Sequence, residues 1–134
     1  MAGFTEAYRK AGYVLANPRN DWSAVRSDGS AVALTIWQDE IVKGQGPLFV
    51  DLRGHPLLAE WKDRQGNRKK IRDVKHGLAH CGGVFDIILC RAVDVTASPR
   101  KVAYAEYWQR MRGHINPDTL DEGDGTFRID FRPA

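Results

Sequence analysis

Cysteine is scarce in this sequence, with only Cys81 and Cys90, and long apolar runs are missing altogether. Two thiols cannot build the disulfide framework on which small secreted domains rely. A helix that spans a bilayer needs about 20 consecutive apolar residues, and the longest apolar stretches here are strand-sized. Residues 1–10 lack the apolar centre of a secretory signal. The expectation is therefore a cytoplasmic chain with no membrane partner. Familiar catalytic signatures are missing too. There is no Walker loop, no Gly-x-Gly-x-x-Gly after a strand and no Gly-x-Ser-x-Gly elbow. Repeats and low-complexity tracts are also lacking.

What is present describes an ordinary globular domain. The 134 residues are 43% hydrophobic and 28% charged, which predicts one domain over residues 1–134. A chain of this size buries roughly two-thirds of its extended surface and needs neither disulfide nor metal to fold. The net charge of +3 is modest, but its distribution is uneven. Residues 62–75 carry Lys62, Arg64, Arg68, Lys69, Lys70, Arg72 and Lys75 against Asp63 and Asp73. Asp118, Asp121, Glu122 and Asp124 crowd the tail. One positive face and a separate acidic edge are expected.

Periodicity supplies the elements. Phe4, Tyr8, Ala11 and Leu15 form a helical stripe that Thr5 can cap and Asn17-Pro18 ends. Asp28-Gly29 sits between two alternating runs and predicts a two-residue hairpin loop pairing Val25 with Val32 and Trp22 with Thr35. That register puts Val25, Val32, Leu34 and Ile36 on one face, and Trp22, Ala24, Arg26, Ala33, Thr35 and Trp37 on the other. Strands are expected at 48–52 and 57–62. A helix capped by Asn67 follows, with Ile71, Val74, Leu78 and Cys81 inward and Gly82-Gly83 as its stop. Residues 84–95 read as a central strand. Ser98-Pro99 opens a helix to Arg112 that would bury Tyr104, Trp108 and Met111. Phe127, Ile129 and Phe131 alternate as an edge strand. The sum is an α+β fold: a mainly antiparallel sheet or half-open barrel with three packed helices.

Four groups of residues can carry chemistry. Trp22 and Trp37, with small residues between them and Arg26 nearby, can stack on a base while the guanidinium adds cation–π attraction or a phosphate contact. The competing reading is two core indoles. Arg68, Lys69, Lys70, Arg72, Lys75 and His76 can neutralise phosphates along one helix, or simply be a solvated exterior. Asp51 followed by Glu60-Trp61-Lys62 matches the carboxylate and Glu-x-Lys arrangement of restriction-type nucleases, in which the acids hold Mg²⁺ and the lysine serves the attacking water. His76, His80, Cys81 and Cys90 fall short of a zinc site, because no Cys-x₂-Cys pair accompanies them. The leading expectation is a nucleic-acid-binding domain without catalysis, metal or cofactor, holding an exposed or modified base beside a basic helix. The alternatives are a small nuclease using Mg²⁺, Asp51, Glu60 and Lys62, and a domain that binds a protein partner through its sheet edge or acidic tail.

Overall fold

Residues alternating between apolar and small or polar types build the centre of this protein, because in a strand successive side chains point to opposite faces. The computed structural model describes residues 3–18, 20–97 and 100–134. Its helices are α1 (Phe4–Lys10), α2 (Leu58–Trp61) and α3 (Gln65–His80). Its strands are β1 (Ser23–Val25), β2 (Val32–Trp37), β3 (Phe49–Asp51), β4 (Val84–Ala92), β5 (Val102–Tyr107), β6 (Met111–Ile115) and β7 (Arg128–Pro133). Single 3₁₀ turns occupy Gln38–Glu40 and Pro117–Thr119. The strand order is β1-β2-β4-β6-β7-β3, with β5 also on β4. Among the described strands only the β2–β4 pair is parallel. The fold is α+β, a mostly antiparallel open sheet with helices packed on it.

The apolar run of β4 feeds two cores. Phe85, Ile87 and Leu89 join Val32, Leu34, Ile36, Ile129 and Phe131 on the face that α3 covers through Val74. Ile88 and Cys90 join Ala24, Ala33 and Ala105 on the face that α1 covers through Ala7, Tyr8 and Ala11. The alanines on that second face let a helix carrying tyrosine approach closely. Burial there pushes the Cys90 thiol up to about 12, so it is a packed, inert thiol.

The expected hairpin register is present, with Val25 opposite Val32 and the Thr35 N–H donating to Trp22 O at 3.0 Å. Its loop is longer than two residues. Arg26 N–H donates to Ala31 O at 2.9 Å and Gly29 N–H to Arg26 O at 2.8 Å, leaving residues 27–30 outside the ladder. Only Gly29 of this loop has positive φ, at 75°. Asp28 stays in the ordinary region and instead accepts the Ser30 N–H at 3.0 Å.

Several expectations are corrected. Residues 102–112 form strands, not a helix. β5 pairs with residues 88–92 of β4, and β6 with Val84 and Phe85 on the same edge of β4. Trp108 N–H continues the ladder to Ile87 O at 2.9 Å, so residues 102–115 form one antiparallel run interrupted by a short loop. The edge of β4 offers a row of backbone partners, and Val102, Tyr104 and Glu106 alternating with Ala103, Ala105 and Tyr107 can meet it. Ser98 and Pro99, the expected helix start, lie outside the described residues.

Residues 58–61 are a helical turn, not a strand, closed by Lys62 N–H to Leu58 O at 2.9 Å. Leu, Ala and Glu are good helix formers, and so short an apolar run has no decisive period. Helix α1 ends at Lys10 because Gly12 turns the chain at φ 94°, and Gly3, not Thr5, stands at its N-cap. The stripe Phe4, Tyr8, Ala11 and Leu15 nonetheless faces inward. Helix α3 begins at Gln65, before the expected Asn67 cap. Strand β7 lies between β6 and β3 and is not an edge.

Candidate functional site

A concavity gathers around the indoles. A cavity of about 670 Å³ is lined by Trp22, which enters β1, by Trp37, which ends β2, and by Trp61 of α2. That volume lies within the usual range of small-molecule pockets. Trp22 and Trp61 meet edge to face, with ring centres 6.4 Å apart. Gly66 makes room for the first of these rings, since a Cβ there would fall 2.7 Å from the Trp22 indole and 2.3 Å from Asn20 O.

Polar residues on the wall are held in fixed positions. His55 Nδ1 accepts the Leu57 N–H at 3.0 Å and the Trp61 indole N–H at 3.4 Å. The remaining nitrogen, Nε2, therefore carries the proton and donates to Glu40 Oε2 at 2.5 Å. Both ring nitrogens are committed, so the imidazole acts as a brace and is not a free base. Arg100 lies over the Trp37 ring at 5.3 Å and binds both oxygens of Asp39 at 2.9 Å. It also approaches Glu40 at 3.8 Å.

Lys70 is the unusual wall residue. The buried face of α3 runs through Gly66, Asn67, Lys70, Asp73, Val74 and Gly77, a helical spacing that places the lysine in its middle. Its residue is 6% exposed, and Nζ lies 4.8 Å from the Trp61 ring centre and 5.2 Å from that of Phe127. No described residue forms a hydrogen bond or ion pair with it. Burial pulls its pKa down to about 8, opposed in part by the fields of Glu40 and Asp124.

The structure brings Trp22 and Trp37 to one cavity but does not bring Arg26 there. Arg26 Nη2 donates to Ala11 O at 3.0 Å and lies 3.4 Å from Asp86 Oδ2, with its guanidinium over Tyr13. Arg100 takes the expected place beside Trp37. Along α3, Arg68 and Arg72 are exposed. Arg72 Nε lies 3.6 Å from Asp73 Oδ1, and Lys69, Lys75 and His76 have partners as well. Lys69 is held by Asp73 at 3.1 Å, Lys75 by Glu122 at 2.7 Å, and His76 Nε2 meets Gly29 O at 2.9 Å. Lys70, expected on the outer face, points inward.

Asp51 is bound by Arg53 through two contacts of 2.9 Å, which holds its carboxyl below the usual range. Glu60 and Lys62 are exposed on and beside the α2 turn, where the nuclease arrangement requires a strand. Among the described residues no group of three His, Cys, Asp or Glu side chains is placed to hold a metal. His76 and His80 meet at a tilt of 45° with ring centres 4.9 Å apart, and Cys81 points at Gly29 O.

Sequence reasoning missed His55 and Glu40, put Lys70 and Arg100 on an outer basic patch, and gave Trp61 no part in a cavity. One signal was available: glycines at 66 and 77 share a helical face with Lys70, and glycine inside a helix marks close approach. The chain matches no family model, no curated protein and no solved structure. No described helix is long and apolar enough to cross a membrane.

Proposed function

We propose that this chain is a nucleic-acid-binding domain that takes one exposed or flipped base into the cavity between Trp22, Trp37 and Trp61. The observation that carries this reading is that both hairpin indoles, joined by a third, line a single cavity of about 670 Å³. An indole stacks on any base, and each such contact contributes roughly 1–3 kcal/mol. Arg64 lines the same cavity, and Arg68 and Arg72 follow it at four-residue steps along α3. Side chains four apart lie on one helical face. A phosphate backbone running along that row would present a base at the cavity mouth. Lys69, Lys75 and His76 have partners within the chain, and Arg72 Nε lies 3.6 Å from Asp73 Oδ1, so Arg64 and Arg68 carry the phosphate track and the exposed Arg72 extends it by exchanging that contact for a phosphate.

The test is titration of the protein with a short single-stranded oligonucleotide, followed by tryptophan fluorescence at several salt concentrations. Affinity should fall as salt rises, with a logarithmic slope of roughly 0.7 per phosphate neutralised. Joint replacement of Arg68 and Arg72 by Ala should flatten that slope. Trp37→Ala should weaken binding about tenfold while the fold persists. Binding that ignores both salt and Trp37→Ala would end the proposal.

A further inference from the structure

The wall of the cavity contains an amine for which base stacking has no use. We propose that Lys70 is a reactive amine that captures the carbonyl carbon of an aldehyde or ketone in this cavity as a reversible imine. The inference uses the same cavity as the base-binding reading but does not require nucleic acid as the ligand. Lys70 is the only lysine among the lining residues described. Its Nζ is bracketed by the Trp61 and Phe127 rings, and no described carboxylate lies within ion-pair distance. A structural lysine would be expected to hold an acid or a carbonyl oxygen, as Lys69 holds Asp73 one residue earlier.

The chemistry needs the neutral amine, because an ammonium has no lone pair. Burial between aromatic rings supplies it at mild pH, with a pKa of about 8. The groups that bear on this proton are Glu40 of the 3₁₀ turn and Asp124 before β7, which favour the ammonium. His55, Arg64 and Arg100 share the cavity wall. In the reaction Nζ adds to the carbonyl carbon, the former carbonyl oxygen takes up two of the nitrogen's protons in turn, and it leaves as water. Starting from the ammonium, the products are one protonated imine and one water, so atoms and charge balance. Arg64, which has no ion-pair partner among the described residues, can hold an anionic substituent on the ligand. The ligand class is therefore a planar or ring-bearing carbonyl compound with a negative group.

Such a carbonyl can be free, or it can be the aldehyde of a sugar in nucleic acid that has lost its base. Two probes separate the sources. The full chain is incubated at pH 8 with pyridoxal 5′-phosphate, or with a single-stranded oligonucleotide carrying one base-free sugar. Cyanoborohydride then supplies the hydride that fixes any imine, and peptide mapping locates it. Lys70 should be labelled at least tenfold faster than the exposed Lys43 and Lys101. Its absolute rate should fall as pH drops toward 6, and its advantage over the exposed lysines should shrink as pH rises toward 10, where they too become neutral. Preferential labelling by pyridoxal 5′-phosphate alone assigns a free carbonyl ligand, and by the oligonucleotide alone a nucleic-acid source. Lys70 labelled no faster than Lys43 and Lys101 by either probe overturns the proposal. Mapping uses the native chain, so a misfolded variant cannot imitate a negative result. Binding of an intact oligonucleotide, measured in parallel, keeps failure of the base-binding reading distinct from failure of this one.

Discussion

His55 Nε2 meets Glu40 Oε2 at 2.5 Å, joining the 3₁₀ turn after β2 to the loop after β3. The opposite nitrogen accepts the Leu57 and Trp61 N–H groups, so one imidazole fixes the start of α2 and the Trp61 indole together. His55→Ala leaves an indole N–H, a backbone N–H and a carboxylate without this partner. Each unsatisfied buried group costs about 1–3 kcal/mol, and the urea midpoint should fall accordingly. Glu40→Gln keeps an oxygen acceptor for Nε2 and should retain most of that stability. An equal loss in both variants would show that the charge, and not the hydrogen bond, matters.

Lys70 sets a second expectation, concerning pH. Its folded-state pKa of about 8 lies below the ordinary 10.5, so the unfolded chain holds the proton more tightly. Stability must therefore rise as pH increases from about 8 toward 10, where the folded state has shed the proton and the unfolded state has not. Tyr8 and Tyr13 act oppositely. Burial raises both phenols above the ordinary 10.0, so their contribution is lost only at more alkaline pH. Lys70→Met removes the buried charge and keeps the volume. It should raise stability near neutral pH by on the order of 2–3 kcal/mol and abolish the rise between pH 8 and 10. Chemical denaturation at pH 7, 8, 9 and 10 measures both effects.

Which parts of this structure could be read from sequence follows from where the decisive forces lie. The β1–β2 register and the inward faces of β4 and β7 rest on period-two alternation and a glycine at a turn, which are local. Residues 102–112 went to strand because the edge of β4 needed a partner, a demand made by residues distant in sequence. Residues 58–61 are too short for their pattern to decide between helix and strand. At the site, Trp22 and Trp37 were legible as a pair because the hairpin register put them on one face. Arg26 shares that face, but its side chain goes to Asp86 on β4. Lys70 looked solvent-facing because lysine usually is. Only the spacing of Gly66, Lys70 and Gly77 contradicted this.

Gly77 offers a test of that close-packed helix face. Alanine is the better helix former by about 1 kcal/mol, so Gly77→Ala would stabilise an exposed helix. Here a Cβ would lie 2.3 Å from Phe85 Cε2 and 2.5 Å from its Cζ, inside the core. Displacing a buried ring costs typically 1–3 kcal/mol, which exceeds the propensity gain. Gly77→Ala should therefore lower the denaturation midpoint. A variant as stable as the parent would mean that α3 sits farther from β4.

Asp86 gives the last prediction, because one buried carboxylate on β4 joins three separate segments. It accepts the Tyr13 hydroxyl at 2.7 Å, binds Arg112 Nε at 3.0 Å and lies 3.4 Å from Arg26 Nη2. These contacts tie the chain after α1, the end of the first hairpin and the start of β6 to the central strand. Asp86→Ala strands a buried hydroxyl and two cations that are partly exposed. The exposure lets water take over some of the guanidinium solvation, so the loss should stay near 3 kcal/mol, the low end for breaking a buried ion pair. Asp86→Asn keeps an acceptor oxygen for Tyr13 and should cost less. Tyr13→Phe removes a single hydrogen bond and should cost about 1 kcal/mol. If the Tyr13→Phe and Asp86→Ala losses simply add in the double variant, the hydroxyl and the carboxylate do not interact, and the three-way joint is refuted.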